Sequence, residues 1–169
     1  MDEFIIRELV PQANRDDYNL LLPAYLRIWN DPENLKYLSI TQKPFEEKTV
    51  SLWFSNHLIQ GGHYYAAIES GNRVSGIIVV KINPIEGFEI FGIGVLPNSK
   101  GNSIGTRLLN HAVSVATTQG FKAIDILVFV DNFPMLQLLL SLSFIPVRID
   151  YNRRADGMDI LALKKYLLS

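Results

Sequence analysis

The residues best suited to chemistry lie in one turn, Val95-Leu96-Pro97-Asn98-Ser99-Lys100-Gly101-Asn102-Ser103-Ile104-Gly105-Thr106. It joins an extended apolar run to an amphipathic one. Pro97 has no N–H for a strand ladder and ends the strand. Gly101 and Gly105 let the main chain turn sharply and approach a ligand closely. The first N–H groups of the helix that follows have no partner inside it and carry the positive end of its dipole. Such a turn either simply joins strand to helix or cradles phosphate. Lys100 adds a positive charge at its mouth. Two familiar phosphate patterns do not fit. A P-loop places glycine before the lysine and Ser/Thr after it, whereas Ser99 and Gly101 stand there. A dinucleotide fingerprint needs three glycines at the start of a βαβ unit, and this turn comes late in the chain.

The rest of the composition excludes more than it offers. The 169 residues include no cysteine, which removes disulfides, thiolate metal sites and cysteine nucleophiles. A net charge of -1 gives no nucleic-acid surface and no polybasic membrane patch. His57, His63 and His111 lack metal-ligand spacing and read as surface or packing residues, so no metal is expected. Ser114 and Ser141 lack a nucleophile-elbow context. The start Met1-Asp2-Glu3-Phe4 lacks the basic residues of a signal peptide, and the longest apolar stretch, 135–147, is too short and interrupted to span a bilayer. The expectation is a cytoplasmic protein without a membrane partner.

The elements that must hold the turn follow from periodicity. Residues 3–10 read as a strand ended by Pro11. Residues 16–29 and 45–59 show helical spacing, the first interrupted by Pro23. Three β-rich runs, 64–69, 73–82 and 88–96, are separated by turn residues and form an antiparallel meander. Residues 103–118 are an amphipathic helix ended by Gly120. The continuous apolar run 123–130 is a buried strand. Asn132 with Pro134 starts a helix that ends near Ser143. Residues 144–150 and 159–165 form a final hairpin. No repeat or linker divides the chain, so residues 1–169 are one domain.

At Val95, Pro97, Lys100 and Gly105 the chain resembles the GNAT superfamily of acyl-CoA-dependent N-acyltransferases. The family pattern is Val-x-Pro followed by Arg/Gln-x-x-Gly-x-Gly/Ala. Lys100 stands for Arg/Gln and Ser103 for the middle glycine. Asn132, Leu138 and Phe144 match a second family segment, where Met135, Leu139 and Ser143 replace alanine, tyrosine and glycine. The specific likeness covers residues 88–144. It implies an α/β (α+β) fold with a central mixed, mostly antiparallel twisted sheet of about seven strands flanked by about four helices.

The resemblance also implies roles. Acetyl-CoA, as co-substrate, would be held through its diphosphate by the amides of Lys100, Gly101, Asn102, Ser103, Ile104, Gly105 and Thr106. Its pantetheine arm would meet Ile93, Gly94 and Val95, and main-chain N–H groups near Val95 would face the reacting carbonyl. Asn132 is either a coenzyme contact or only a helix cap. Strand alternation puts Glu89, Phe91, Ile93 and Val95 on one face. It leaves Gly92 and Gly94 free for a close ligand or for tight helix packing. Glu89 is either a solvated strand residue or the base that deprotonates an amine whose pKa is near ~10.4. Leu139 removes the family's usual general acid, for which Tyr151, Ser141 or Ser143 are candidates. Tyr18, Tyr25, Trp29, Tyr37, Trp53 and Phe54 are either core or part of an acceptor cleft. Arg153, Arg154 and Asp156 form a polar turn, or else an acceptor or dimer contact.

The function so implied is transfer of an acetyl or other short acyl group to a primary amine of a small molecule or peptide, in a monomer or homodimer. The alternative is a catalytically weak acyl-CoA-binding module, or an interaction domain that has lost the cofactor.

Overall fold

The computed structural model describes residues 3–59 and 61–168. Seven strands form one sheet: β1 (Ile5–Leu9), β2 (Gly62–Glu69), β3 (Arg73–Asn83), β4 (Gly87–Val95), β5 (Ala123–Phe129), β6 (Ile145–Asp150) and β7 (Ile160–Tyr166). Five α-helices accompany them among the described residues: α1 (Arg15–Trp29), α2 (Pro32–Leu38), α3 (Glu47–Ile59), α4 (Ile104–Thr118) and α5 (Phe133–Ser141). The strand order is β1-β2-β3-β4-β5-β7-β6. Every neighbouring pair is antiparallel except β4 with β5. This is the mixed, mostly antiparallel sheet expected from the sequence.

The helices start where side chains satisfy free N–H groups. Asn14 accepts from Asp16 and Asp17 N–H at 2.9 and 3.2 Å, and the two aspartates offset the α1 dipole. The helix runs through Pro23. The added helix is α2, which periodicity misses because it has seven residues. Its start was nonetheless written in the chain. Asp31 caps Glu33 N–H at 2.9 Å, and Pro32 fills the first helical position.

The sheet is covered on both faces. Leu21, Tyr25, Ile28, Val50 and Phe54 of α1 and α3 pack on Tyr64, Ala66, Ile77 and Val79. Leu108, Leu109, Ala112 and Leu139 of α4 and α5 pack on Ile78, Val80, Ile90, Ile124 and Ile126. Alternating strand residues feed the two cores, as a pleated strand requires.

Strand β4 breaks that alternation. Val79 faces Gly92 and Val80 faces Ile90, so Phe91 is an extra residue in a bulge. Phe88, Ile90 and Ile93 all enter the α4-side core as a result. The expectation that Glu89, Phe91, Ile93 and Val95 share one face is therefore corrected: the bulge changes the phase between Glu89 and Ile93. The glycine question resolves toward helix packing. A Cβ on Gly94 would lie 2.6 Å from Ile28 Cγ2, and one on Gly92 3.2 Å from the Trp29 ring. Beside the bulge, β4 and β5 pair only through Phe88–Ile90 and Ile124–Ile126. Two cavities open beyond that short contact.

Candidate functional site

The first cavity, about 610 Å³, lies where β4 runs into the turn and α4. Ile93, Gly94 and Val95 line it, with Lys100, Gly101, Ser103, Ile104, Gly105 and Thr106. Of the expected turn residues only Asn102 is absent from the lining. Among the described residues, none accepts a hydrogen bond from the main-chain N–H of Gly101, Asn102, Ser103, Ile104, Gly105 or Thr106. The first bond of α4 runs from Arg107 N–H to Ser103 C=O at 2.9 Å. The Lys100 amide is different: it donates to Pro97 C=O at 3.2 Å. The row of free donors thus begins at Gly101, one residue later than expected. Lys100 contributes its ammonium, which reaches Glu33 of α2 at 3.0 Å.

Ser103 explains its own departure from the family pattern. It caps α4 with φ 60° and ψ 13°, the left-handed region that glycine enters without cost. A glycine would enter that conformation freely, and Ser103 adopts it with a side chain attached. Gly105 is under no such demand from the protein. A Cβ there would sit 3.9 Å from Leu138 and 4.0 Å from Val95, an ordinary contact facing the cavity.

The second cavity, about 740 Å³, opens on the α1–α3 side of the same strand. Glu89 lines it, as do Tyr25, Trp29, Tyr37 and Trp53. Four of the six aromatics thus line it, while Phe54 is buried in the core and Tyr18 packs against that core. Glu89 lies between Lys81 of β3 and Asp125 of β5 in register. Burial raises its pKa above the ordinary carboxylate value. Lys81 opposes that rise, and the negative charges of Asp125 and Glu86 add to it. Asp125 is itself paired with Lys164 at 3.0 Å.

Tyr37, Leu38, Ile93, Asn132 and Met135 line both cavities and mark their junction. Asn132 also caps α5, accepting from Met135 N–H at 3.4 Å, and still lines the first cavity. The Tyr37 hydroxyl faces Asp131 C=O at 3.4 Å. Leu139 is buried in the core and lines neither cavity. The three hydroxyls considered in its place are elsewhere. Tyr151 is exposed, Ser141 donates to Leu138 C=O at 2.7 Å, and neither these nor Ser143 line a cavity.

Sequence reasoning missed the contribution of α2. Asn34, buried, donates from Nδ2 to Ile28 C=O and Val95 C=O, both at 2.9 Å, and so pins the end of β4 to α1. The polar turn expected at Arg153, Arg154 and Asp156 is present, closed by Gly157 N–H donating to Arg154 C=O at 2.8 Å, but the burial of Arg154, which is 6% exposed, was not foreseen. Its guanidinium meets Asp131 at 2.6 Å, Asp156 at 2.9 Å and Lys36 C=O at 2.9 Å. It lies 4.8 Å over the Phe129 ring. Its hydrogen bonds to Asp156 and Asp131 raise its pKa further. One side chain thus ties α2, the start of α5 and the β6–β7 loop around the junction. His63 pairs with Glu8 at 2.6 Å. His111 packs on Tyr65 at 4.7 Å, and the side chain of His57 lies outside the described residues.

A model of the Acetyltransferase (GNAT) family matches residues 19–144. No curated protein sequence matches the chain. Solved structures do. A candidate phosphinothricin N-acetyltransferase aligns with TM-score 0.80 at 20% identity, over 99% of this chain and 100% of that one. The ribosomal-protein-S18-alanine N-acetyltransferase of Escherichia coli aligns with TM-score 0.75 at 19% identity, over 99% and 96%. A Salmonella typhimurium protein solved with its cofactor acetyl-CoA aligns with TM-score 0.74 at 15% identity, over 99% and 95%. At these identities the structural likeness speaks for the fold. No described helix is long and apolar enough to cross a membrane. With the family model spanning most of the sheet and the whole donor turn, the chain belongs to the GNAT acetyltransferase family.

Proposed function

We propose that this protein transfers an acetyl, or another short acyl, group from acyl-coenzyme A to a primary amine by direct attack. The observation that carries the reading is the row of N–H groups from Gly101 to Thr106 with no acceptor among the described residues, beside a cavity that holds a partly buried carboxylate. Such a row at a helix start suits a diphosphate. Gly105 suits it too, because the position leaves open the space a methyl group would fill.

The acyl donor supplies an electrophilic thioester carbonyl and a thiol leaving group. The chain must position it and move two protons. Glu89, its basicity raised by burial, takes a proton from the incoming ammonium, directly or through water. The amine nitrogen then bonds to the acyl carbon, and as the carbon–sulfur bond breaks it gives up its second proton to solvent and becomes the amide nitrogen. The sulfur leaves with a proton, which the Tyr37 hydroxyl at the junction of the cavities donates and solvent restores. Tyr37 so takes the part that Leu139, buried away from the site, has no hydroxyl to play.

Two measurements test this. Acetyl-CoA at 100 times its dissociation constant should stabilise the fold by about 2.7 kcal/mol. Free thiol should then appear only when an amine is added. No stabilisation overturns the reading, and binding without amine-dependent thiol release across a broad panel reduces the protein to a binding module. Tyr37→Phe should lower kcat by about 10²-fold while the dissociation constant for acetyl-CoA stays unchanged.

A further inference from the structure

Resting on the acyl-transfer reading, we propose that the second cavity selects a small amine with a single ammonium group and an aromatic or branched apolar body. It selects against polyamines, amino sugars and polypeptide amines. Three observations carry this.

The walls are apolar where water reaches them. Phe91 is 46% exposed, Leu127 48% and Ile40 59%, and all three line the cavity together with Trp53 and Phe45. Large apolar side chains left in water around one concavity fit an apolar guest, whose burial would remove that surface from solvent. Phe91 is presented by the bulge, and Leu127 stands on the outward face of β5.

The charges are few and of mixed sign. Glu46 and Glu89 are the carboxylates among the lining residues, and Lys43 opposes them. One ammonium finds a partner at Glu89. A chain of ammonium groups finds no second row of acids, and the cation at Lys43 repels it. A sugar would leave many hydroxyls against hydrocarbon, which is costly without partners.

The loop over the cavity has committed several of its main-chain groups. Asn30 holds Phe45 from both sides, through its C=O at 3.0 Å and its N–H at 2.7 Å. Ser39 Oγ donates to Lys43 C=O at 3.2 Å, and Ile40 C=O accepts from Ala155 N–H at 2.9 Å. A polypeptide acceptor would look for main-chain partners along this wall. The wall offers side chains.

The test is a comparison of initial rates at saturating acetyl-CoA for 2-phenylethylamine, 3-methylbutylamine, spermidine, glucosamine and a short peptide with a free amino terminus. The two apolar amines should exceed the other three in kcat/KM by about tenfold or more. Trp53→Ala should raise KM for 2-phenylethylamine about tenfold with KM for acetyl-CoA unchanged. Leu127→Glu, at a half-exposed position of β5, should move preference toward spermidine. A higher kcat/KM for spermidine, glucosamine or the peptide overturns the proposal, as does a Trp53→Ala enzyme with unaltered KM for the aryl amine. If no amine is acetylated, the acyl-transfer reading falls by itself. Calorimetric titration with 2-phenylethylamine against spermidine then decides the cavity's preference: tighter binding of the aryl amine upholds it, and equal or weaker binding ends it.

Discussion

The first cavity is lined in part by one continuous turn, and the second by residues gathered from separate segments. The donor turn runs over consecutive residues from Gly101 to Thr106. The second cavity gathers Trp29, Phe45, Trp53, Glu89 and Leu127 from five separate segments. A main-chain site tolerates changes of side chain so long as the backbone keeps its path and no new atom fills the space. A side-chain site is free to change its guest with each substitution. Ser103 illustrates the first case: a serine stands where the family pattern has glycine, and the backbone takes the left-handed conformation that glycine favours.

The sharpest way to break that contrast is at Glu89. Glu89→Gln should lower kcat by about 10²–10⁴-fold without weakening acetyl-CoA binding. The wild-type rate should rise with pH through a limb lying above the ordinary carboxylate range, since the base works only once deprotonated and burial holds its proton to higher pH. The variant should lose that limb. An unchanged profile would remove Glu89 from the chemistry.

Arg154→Met comes next. It strands two aspartates that are themselves partly solvated. The expected loss is therefore at the lower end for a broken buried pair, about 3 kcal/mol in denaturant unfolding. Because Arg154 holds the frame of the junction, KM for the amine should rise along with the instability. A variant as stable as the parent would show the knot to be ornamental.

Gly105→Ala separates fold from ligand. Alanine near the start of α4 should stabilise the protein by about 0.5–1 kcal/mol. The same methyl, placed in the cradle, should weaken acetyl-CoA binding about tenfold, as overpacking does. The two effects have opposite signs, so calorimetry and thermal unfolding together distinguish them. The smallest effect belongs to Ser103→Gly, which should relieve the left-handed serine by about 1 kcal/mol and leave affinity for acetyl-CoA the same. Destabilisation instead would mean that the serine side chain makes a contact of its own.

The same contrast explains what the sequence made legible. The meander, the buried strand β5, the final hairpin and the donor turn all announce themselves locally, through alternation, apolar runs and Pro/Gly punctuation. The bulge did not. One added residue at Phe91 leaves no mark in composition, and strict alternation then assigns Glu89 and Ile93 to the same face. The turn at Arg154 was legible, but its burial depends on Asp131 and Lys36, far away in the chain. Tyr37 was seen only as one aromatic among six, since its place at the junction comes from α2. The Asp31-Pro32 pair would have revealed that helix by the reasoning that found α5 from Asn132 and Pro134.

Because β4 and β5 part after three paired residues, β4 presents an edge in the interior of the sheet that no neighbouring strand completes. Outer edges invite other chains and carry a risk of aggregation. This one is sheltered by side chains of α2 and α5, and Asn34 already occupies one of its carbonyls. Another polypeptide would have to displace two helices to pair with it. A slender, extended, amide-bearing molecule would not, so the fold keeps the recognition power of strand addition while escaping its hazard.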